Sequence, residues 1–199
     1  MDKPLEKPKE AIAFLVSRLF GPESIMPLSL WFVISFMGDF DWREDPLLLA
    51  ITAFFFLIAP ILIFLIFYFL GYLTDIDATE RKQRPPVLIA KQISLSIGLF
   101  FVWMRAPGLT VQLYTWWYLI TLSILLISFI WKISIHMTAA SMLFWAVYLI
   151  FGSSMLAVFI LLLPIAWARL TLKKHEPLQL AFGAVLPLIL WGIVSLTLG

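Results

Sequence analysis

No cysteine occurs among the 199 residues of the chain, which excludes disulfides, thiolate metal sites and cysteine nucleophiles. Charge is scarce as well. Asp, Glu, Lys and Arg together make up 13% of the chain, about half their usual share in soluble domains. There are only two histidines, and the formal charge of +2 says less than where the charges fall. What fills the sequence instead is apolar: 62% hydrophobic residues, with 18 Phe and 9 Trp, and a mean hydropathy of +1.00. A soluble core of this size cannot hide so much apolar surface, so lipid must be the solvent.

The first twenty residues carry mixed charge, two prolines and an apolar stretch of only a turn or two. That pattern is not a cleavable signal peptide. Residues 10–20 read either as a frayed cytosolic tail or as a short amphipathic helix at the interface, with Ile12, Phe14, Leu15, Leu19 and Phe20 in the lipid. Residues 1–23 are therefore assigned as a tail and residues 24–199 as a single transmembrane domain, with no fixed-period repeat.

Crossing the hydrocarbon takes about twenty apolar residues, so the gaps between charges mark the spans. Residues 24–38 are charge-free but short, the weakest candidate. Residues 46–74 form a long run in which Pro60 predicts a kink. Residues 87–104 hold only Lys91, near one end, where its stem can snorkel. Residues 109–131 follow a Pro107-Gly108 turn. Residues 133–168 lack Lys, Arg, Asp and Glu; as one helix they would reach about 54 Å, too long for one crossing. Gly152-Ser153-Ser154 lies near their middle and predicts a hairpin of two spans. Residues 178–198 make the last. The expected fold class is all-α, a polytopic bundle of six or seven spans.

Two hairpins, residues 87–131 and 133–168, separate three polar segments at 75–86, 132–136 and 169–179. Each hairpin returns the chain to its starting side, so all three segments are expected at one membrane face. They hold Arg81, Lys82, Arg84, Lys132, Ser134, His136, Arg169, Lys173, Lys174 and His175. A preference for basic cytoplasmic loops accounts for Lys173 and Lys174. It does not account for both histidines lying beside basic residues at helix entrances. Polar groups near membrane depth are costly and tend to be functional. Guanidinium forks with imidazoles suit a phosphate: Arg binds its oxygens, one His attacks and another protonates the leaving oxygen.

At these segments the chain resembles the type 2 phosphatidic acid phosphatase superfamily, membrane lipid phosphatases related to vanadium haloperoxidases. The family pattern reads K-x6-R-P, then P-S-G-H, then S-R-x5-H-x3-D. Here the third part reads Ala168-Arg169, five residues, His175, three residues and Gln179. The second reads Ser134-Ile135-His136, and the first keeps Arg84-Pro85. The resemblance covers residue 75 to the C-terminus. It implies that His175 is the nucleophile that forms a phosphohistidine. His136 would protonate the leaving lipid oxygen and then activate water, while Arg84, Arg169 and Ser134 hold the phosphoryl oxygens. It implies neither a metal nor any other cofactor.

Four departures from the pattern bear on the chemistry. Asp77 stands where the family has Lys, so Arg81 or Lys82, a turn away, is expected to fill that role. Ile135 replaces Gly and Ala168 replaces Ser. Gln179 replaces the Asp that would orient His175; its carbonyl fixes the tautomer but lacks the charge. These departures sustain an alternative, a catalytically impaired bundle serving as a lipid-binding or structural subunit of a membrane complex, with a homo-oligomer also open. An intramembrane prenyltransferase is disfavoured, because the second acidic cluster, residues 39–45, falls on the opposite face. A transporter would show more ionisable residues in mid-span. The expected partners are a lipid phosphate substrate and membrane lipids, not nucleic acid. Twelve of the 14 Lys and Arg fall on the side of the motifs, leaving Arg43 and Arg105 opposite, so the motif face is expected to be cytoplasmic.

Overall fold

The computed structural model of the protein describes residues 8–23 and 25–199. The tail lysines Lys3 and Lys7, and Ser24 at the head of the first expected span, lie outside the described residues. The described chain is an all-α bundle of eight helices: α1 (Pro8–Leu19), α2 (Ile25–Met37), α3 (Pro46–Phe69), α4 (Arg81–Arg105), α5 (Gly108–Ile130), α6 (Ile135–Phe151), α7 (Ser153–Thr171) and α8 (Pro177–Leu198). Five of them, α3, α4, α5, α7 and α8, are long and apolar enough to cross a membrane, and the protein is a membrane protein. The two shorter apolar helices, α2 and α6, also run from one end of the bundle to the other.

Polar contacts identify the two ends. At one end, Asp39 accepts from the Leu109 and Thr110 amides, both 2.9 Å. Asp45 meets Arg105 at 2.7 Å there, and the Leu198 carbonyl accepts from Gln112 at 3.0 Å. The opposite end gathers Asp77, Arg84, His136, Arg169 and His175. Residues 133–168 do divide in two. Gly152, at φ 82°, takes a left-handed conformation open to glycine at little cost, and it ends α6 before α7 returns.

Just before Pro60, where the sequence predicts a kink, α3 widens into a π-turn over Ala53–Ile58. Proline brings no N–H, and the wider turn redistributes the bonds around that gap. The Phe55 carbonyl, five residues before Pro60, is satisfied by the Ser94 hydroxyl of α4 at 3.0 Å. Close approach at that level depends on Gly98, where a Cβ would lie 2.6 Å from the Phe55 Cβ. A buried aromatic group, Phe56, Tyr114 and Trp117, packs edge to face beside it. Together these contacts anchor α3 to α4 and α5, and so set where α4 delivers Arg84.

Helix α1 is amphipathic in an unusual sense. Ile12, Leu15 and Leu19 are exposed, while Ala13 and Ser17, one turn apart, are fully buried. Small residues on one face allow close packing against α7, and the large apolar residues face outward. Of the side chains expected in lipid, Phe14 instead lies under the Arg18 guanidinium, 4.9 Å from its centre. Phe20 packs against the bundle.

Candidate functional site

Helix termini deliver Arg84, His136, Arg169 and His175 to the site end, and the 75–78 loop delivers Asp77. Arg84 opens the α-helical part of α4, with prolines in its first turn where no N–H is needed. Its Nε donates to the Ala78 carbonyl at 2.8 Å and its Nη1 to the Ile133 carbonyl at 3.0 Å, clamping the 75–78 loop to the entrance of α6. Ser134 is the N-cap of α6, its hydroxyl accepting from the Met137 amide at 3.4 Å. The cap fixes the first turn of α6 and with it His136. Behind this turn Gly183 of α8 comes so close that a Cβ would lie 2.9 Å from the Ser134 carbonyl.

Arg169 sits in the last turn of α7, 1% exposed. Its Nη1 donates to Ser17 Oγ at 2.6 Å and to Asp77 Oδ2 at 2.9 Å, and approaches His136 Nε2 at 3.4 Å. Because Arg only donates, His136 Nε2 is the acceptor here and carries a lone pair. Just beyond, α7 ends in a Schellman motif: the Lys174 amide reaches the Arg169 carbonyl and the Lys173 amide that of Leu170. Lys173 occupies the left-handed position, φ 52°, where glycine is the usual residue. This reversal places His175 directly before α8.

His175 is held by Gln179. The Gln179 Oε1 accepts from the Glu176 amide at 3.3 Å, completing a capping box at the start of α8. A backbone amide can only donate, which settles that the amide oxygen, not its nitrogen, faces this way. The same oxygen lies 3.0 Å from His175 Nδ1, so Nδ1 carries the proton and Nε2 the lone pair. Burial first, then the Arg169 guanidinium, pushes His175 down to about 3, against the Gln179 bond. The imidazole is neutral near pH 7, the form a nucleophile requires.

The carboxylate of Asp77 is central. Its two oxygens meet Arg18 at 2.6 Å and Arg169 at 2.9 Å, and His136 Nε2 lies 3.8 Å away. Burial works against its ionisation, but Arg169 and then Arg18 outweigh it and hold the carboxyl below its ordinary range. The loop is organised by Asp75, whose Oδ1 accepts from the Asp77 amide at 2.8 Å and from both the amide and hydroxyl of Thr79. Next to Asp77, Ala78 has φ 45°, a left-handed conformation that costs a non-glycine residue about 1 kcal/mol. Arg84, 2% exposed, has no described carboxylate within ion-pair distance, although an uncompensated buried charge costs several kcal/mol.

The structure thus brings together Arg84, Ser134, His136, Arg169, His175 and Gln179. It does not bring in the two residues expected to replace the missing Lys. Arg81 Nη1 donates to the Ser128 carbonyl at 3.0 Å, closing the end of α5, and Lys82 is exposed. The cation that meets residue 77 is Arg18, with Ser17 beside it. Sequence reasoning assigned neither a site role. Their available signal was the Ala13–Ser17 spacing, which turns a small-residue face of α1 toward the bundle.

Two cavities adjoin this end. One of about 110 Å³ is lined by Ser17, Arg18, Glu23, Ile76, Asp77 and His136, among others. An apolar one of about 120 Å³ lies between α2, α3, α4, α5 and α6, with Met26, Phe56, Leu95, Trp117 and Met142 in its walls. Pro22 and Glu23 border both, and Glu23 is paired with Lys91. His175 lines neither. No protein-family model, curated protein or solved structure matches the chain.

Proposed function

We propose that the protein is a membrane lipid phosphatase of the type 2 phosphatidic acid phosphatase kind, hydrolysing a phosphate monoester or diphosphate headgroup through a phosphohistidine. The observation that carries this reading is the meeting of two buried arginines and two neutral histidines at one polar end of a lipid-embedded bundle. Phosphatidate, phosphatidylglycerol phosphate and isoprenyl phosphates share the required chemistry. The apolar cavity beside Glu23 suits a stretch of the hydrocarbon tail.

In this mechanism His175 Nε2 attacks phosphorus, while the Gln179 carbonyl stabilises the proton on Nδ1 as the ring gains charge. The P–O bond to the lipid breaks, and the alkoxide takes a proton from His136. Protonated His136 must first form, since its Nε2 accepts from Arg169 in the state described. In the second step neutral His136 takes a proton from water, whose oxygen attacks phosphorus and releases His175. Arg84 and Arg169 offset the charge that accumulates on the phosphoryl oxygens.

Asp77 favours a second reading, a retired enzyme serving as a lipid-binding or structural subunit. Its carboxylate holds the guanidinium that a phosphate would need, and Gln179 leaves His175 without a counter-charge. The two readings separate on phosphate release by the reconstituted protein from a panel of phosphatidate, phosphatidylglycerol phosphate and undecaprenyl phosphate. Release that His175→Ala abolishes supports the enzyme; no release from any of them supports the subunit. The positive-inside rule places the site end in the cytoplasm.

A further inference from the structure

We propose that helix α1 completes an anion site. Arg18 binds a phosphate group in the cavity lined by Ser17, Arg18, Glu23, Asp77 and His136, and Arg169, which sits behind Ser17 and Asp77, joins it once Asp77, which occupies both guanidinium groups, is displaced; Glu23 stays paired with Lys91.

The first support is the pattern of donors. Arg169 Nε and Arg18 Nε are both buried without a hydrogen-bond partner, although each side chain also binds Asp77. A guanidinium offers five N–H groups in a plane and is matched by a tetrahedral oxyanion better than by one carboxylate shared between two arginines. An orphaned buried donor costs about 1–3 kcal/mol, so two of them on arginines that share Asp77 are donors Asp77 alone does not satisfy.

The second support is charge. Arg18 and Arg169 share the Asp77 carboxylate and Arg84 binds the adjacent Ala78 carbonyl, so three guanidinium groups stand against the carboxylates of Asp77 and Asp75. A phosphate monoester carries about −1.5 to −2 at neutral pH, which answers that surplus once Asp77 has moved aside. Arg18 thereby returns the cation that position 77 lacks relative to the family pattern.

The third is the construction of the loop. Ala78 holds a left-handed backbone directly after Asp77, and strain of this kind persists only where neighbouring contacts enforce it. Those contacts are the Asp75 bonds to the Asp77 and Thr79 amides, the Arg84–Ala78 bond and the Asp77 ion pairs. Only the last set gives way to a ligand, so the loop keeps its frame when the Asp77 carboxylate is displaced.

That the anion is a lipid phosphate rests on the phosphatase reading; the binding test does not. Inorganic phosphate would be titrated calorimetrically into the detergent-solubilised full-length protein. Asp77→Asn, which keeps the shape and removes the charge, is expected to bind phosphate at least tenfold more tightly than the wild type. Adding Arg18→Gln should remove that gain, and Arg18→Lys should keep part of it. Asp77→Asn binding no more tightly, or a gain that survives Arg18→Gln, would overturn the proposal. Because these variants act on a buried ion pair, a second measurement leaves it intact. Ile76→Cys, at a cavity-lining position that is 41% exposed, introduces the sole thiol, and phosphate should slow its alkylation at least threefold; an unchanged rate also overturns the site. Neither measurement needs turnover. Hydrolysis without these effects would sink Arg18 and Asp77 alone, and these effects without hydrolysis would sink the enzyme alone.

Discussion

His175 and Gln179 show how much one oxygen atom can decide. Gln179 Oε1 closes the capping box of α8 and sets the tautomer of His175 with the same lone-pair face. Substitution by Asp, the family residue, shortens the side chain and breaks both contacts unless the helix shifts. Gln179→Glu keeps the length and adds the charge. It should raise turnover about tenfold or more if the chain is an enzyme, since loss of the analogous carboxylate in a serine protease costs about four orders of magnitude. Unchanged phosphate release on reconstitution would speak for the retired subunit. His136→Ala should slow both formation and hydrolysis of the phosphoenzyme, by about 10²–10⁴, as rapid-quench trapping of labelled protein can measure.

The burial of His175 also couples stability to pH. Its folded pKa, about 3, lies below the ordinary 6.5. Between those values the unfolded chain binds a proton that the folded chain does not. The contribution is complete above pH 6.5 and is lost as pH falls toward 3, at about 1.4 kcal/mol per unit. Asp77, also held low, acts in the same direction below its ordinary 3.8. Denaturation midpoints of the solubilised protein should therefore fall from pH 6.5 to 4.5, and His175→Gln should flatten that slope.

At the scale of elements, three local devices position the site, and each has a substitution that tests it. The Schellman end of α7 places Lys173 in a glycine conformation. Lys173→Gly should stabilise the protein by about 0.5–1 kcal/mol in thermal unfolding, since it removes a left-handed penalty. At the π-turn of α3, Ser94→Ala leaves the Phe55 carbonyl without its partner and should cost about 1 kcal/mol. Gly98→Ala pushes a methyl into the Phe55 Cβ and the Phe56 ring; overpacking of this kind costs about 1–3 kcal/mol. If Gly98→Ala left the thermal midpoint unchanged, the close approach of α3 and α4 would be wrong.

At the scale of the molecule, an odd number of crossings separates the site end from the last residue. With α2 counted, seven helices run between the two ends, so a reporter fused after Gly199 should behave as external if the site end is cytoplasmic. A cytoplasmic reporter would contradict that topology. The absence of cysteine makes single-thiol labelling clean. Lys82→Cys and Lys173→Cys should resist a membrane-impermeant maleimide in intact cells and react after lysis; labelling from outside would place the site on the other side. The acidic residues Asp39 and Asp45 are engaged at the far end with α5 and Arg105, so they share no site with Asp75 and Asp77.

The sequence by itself determined the solvent, the helices and the end of the bundle where the chemistry gathers. Apolar run length against bilayer thickness is a one-dimensional quantity, and helix-by-helix alternation then decides at which end of the bundle each loop lies. It also named Arg84, His136, Arg169 and His175, because each lies at a helix terminus whose position follows from that count. It could not assign Arg18 and Ser17. Helix α1 lies 59 residues from the loop it meets, and no periodicity ties it to α7 rather than to lipid. Nor could it show that Asp77 would sit on the guanidinium groups, that Arg81 would close α5, or that α3 would widen into a π-turn before Pro60. Those outcomes were decided by the tertiary structure, because buried charges and freed carbonyls take the nearest partner in space.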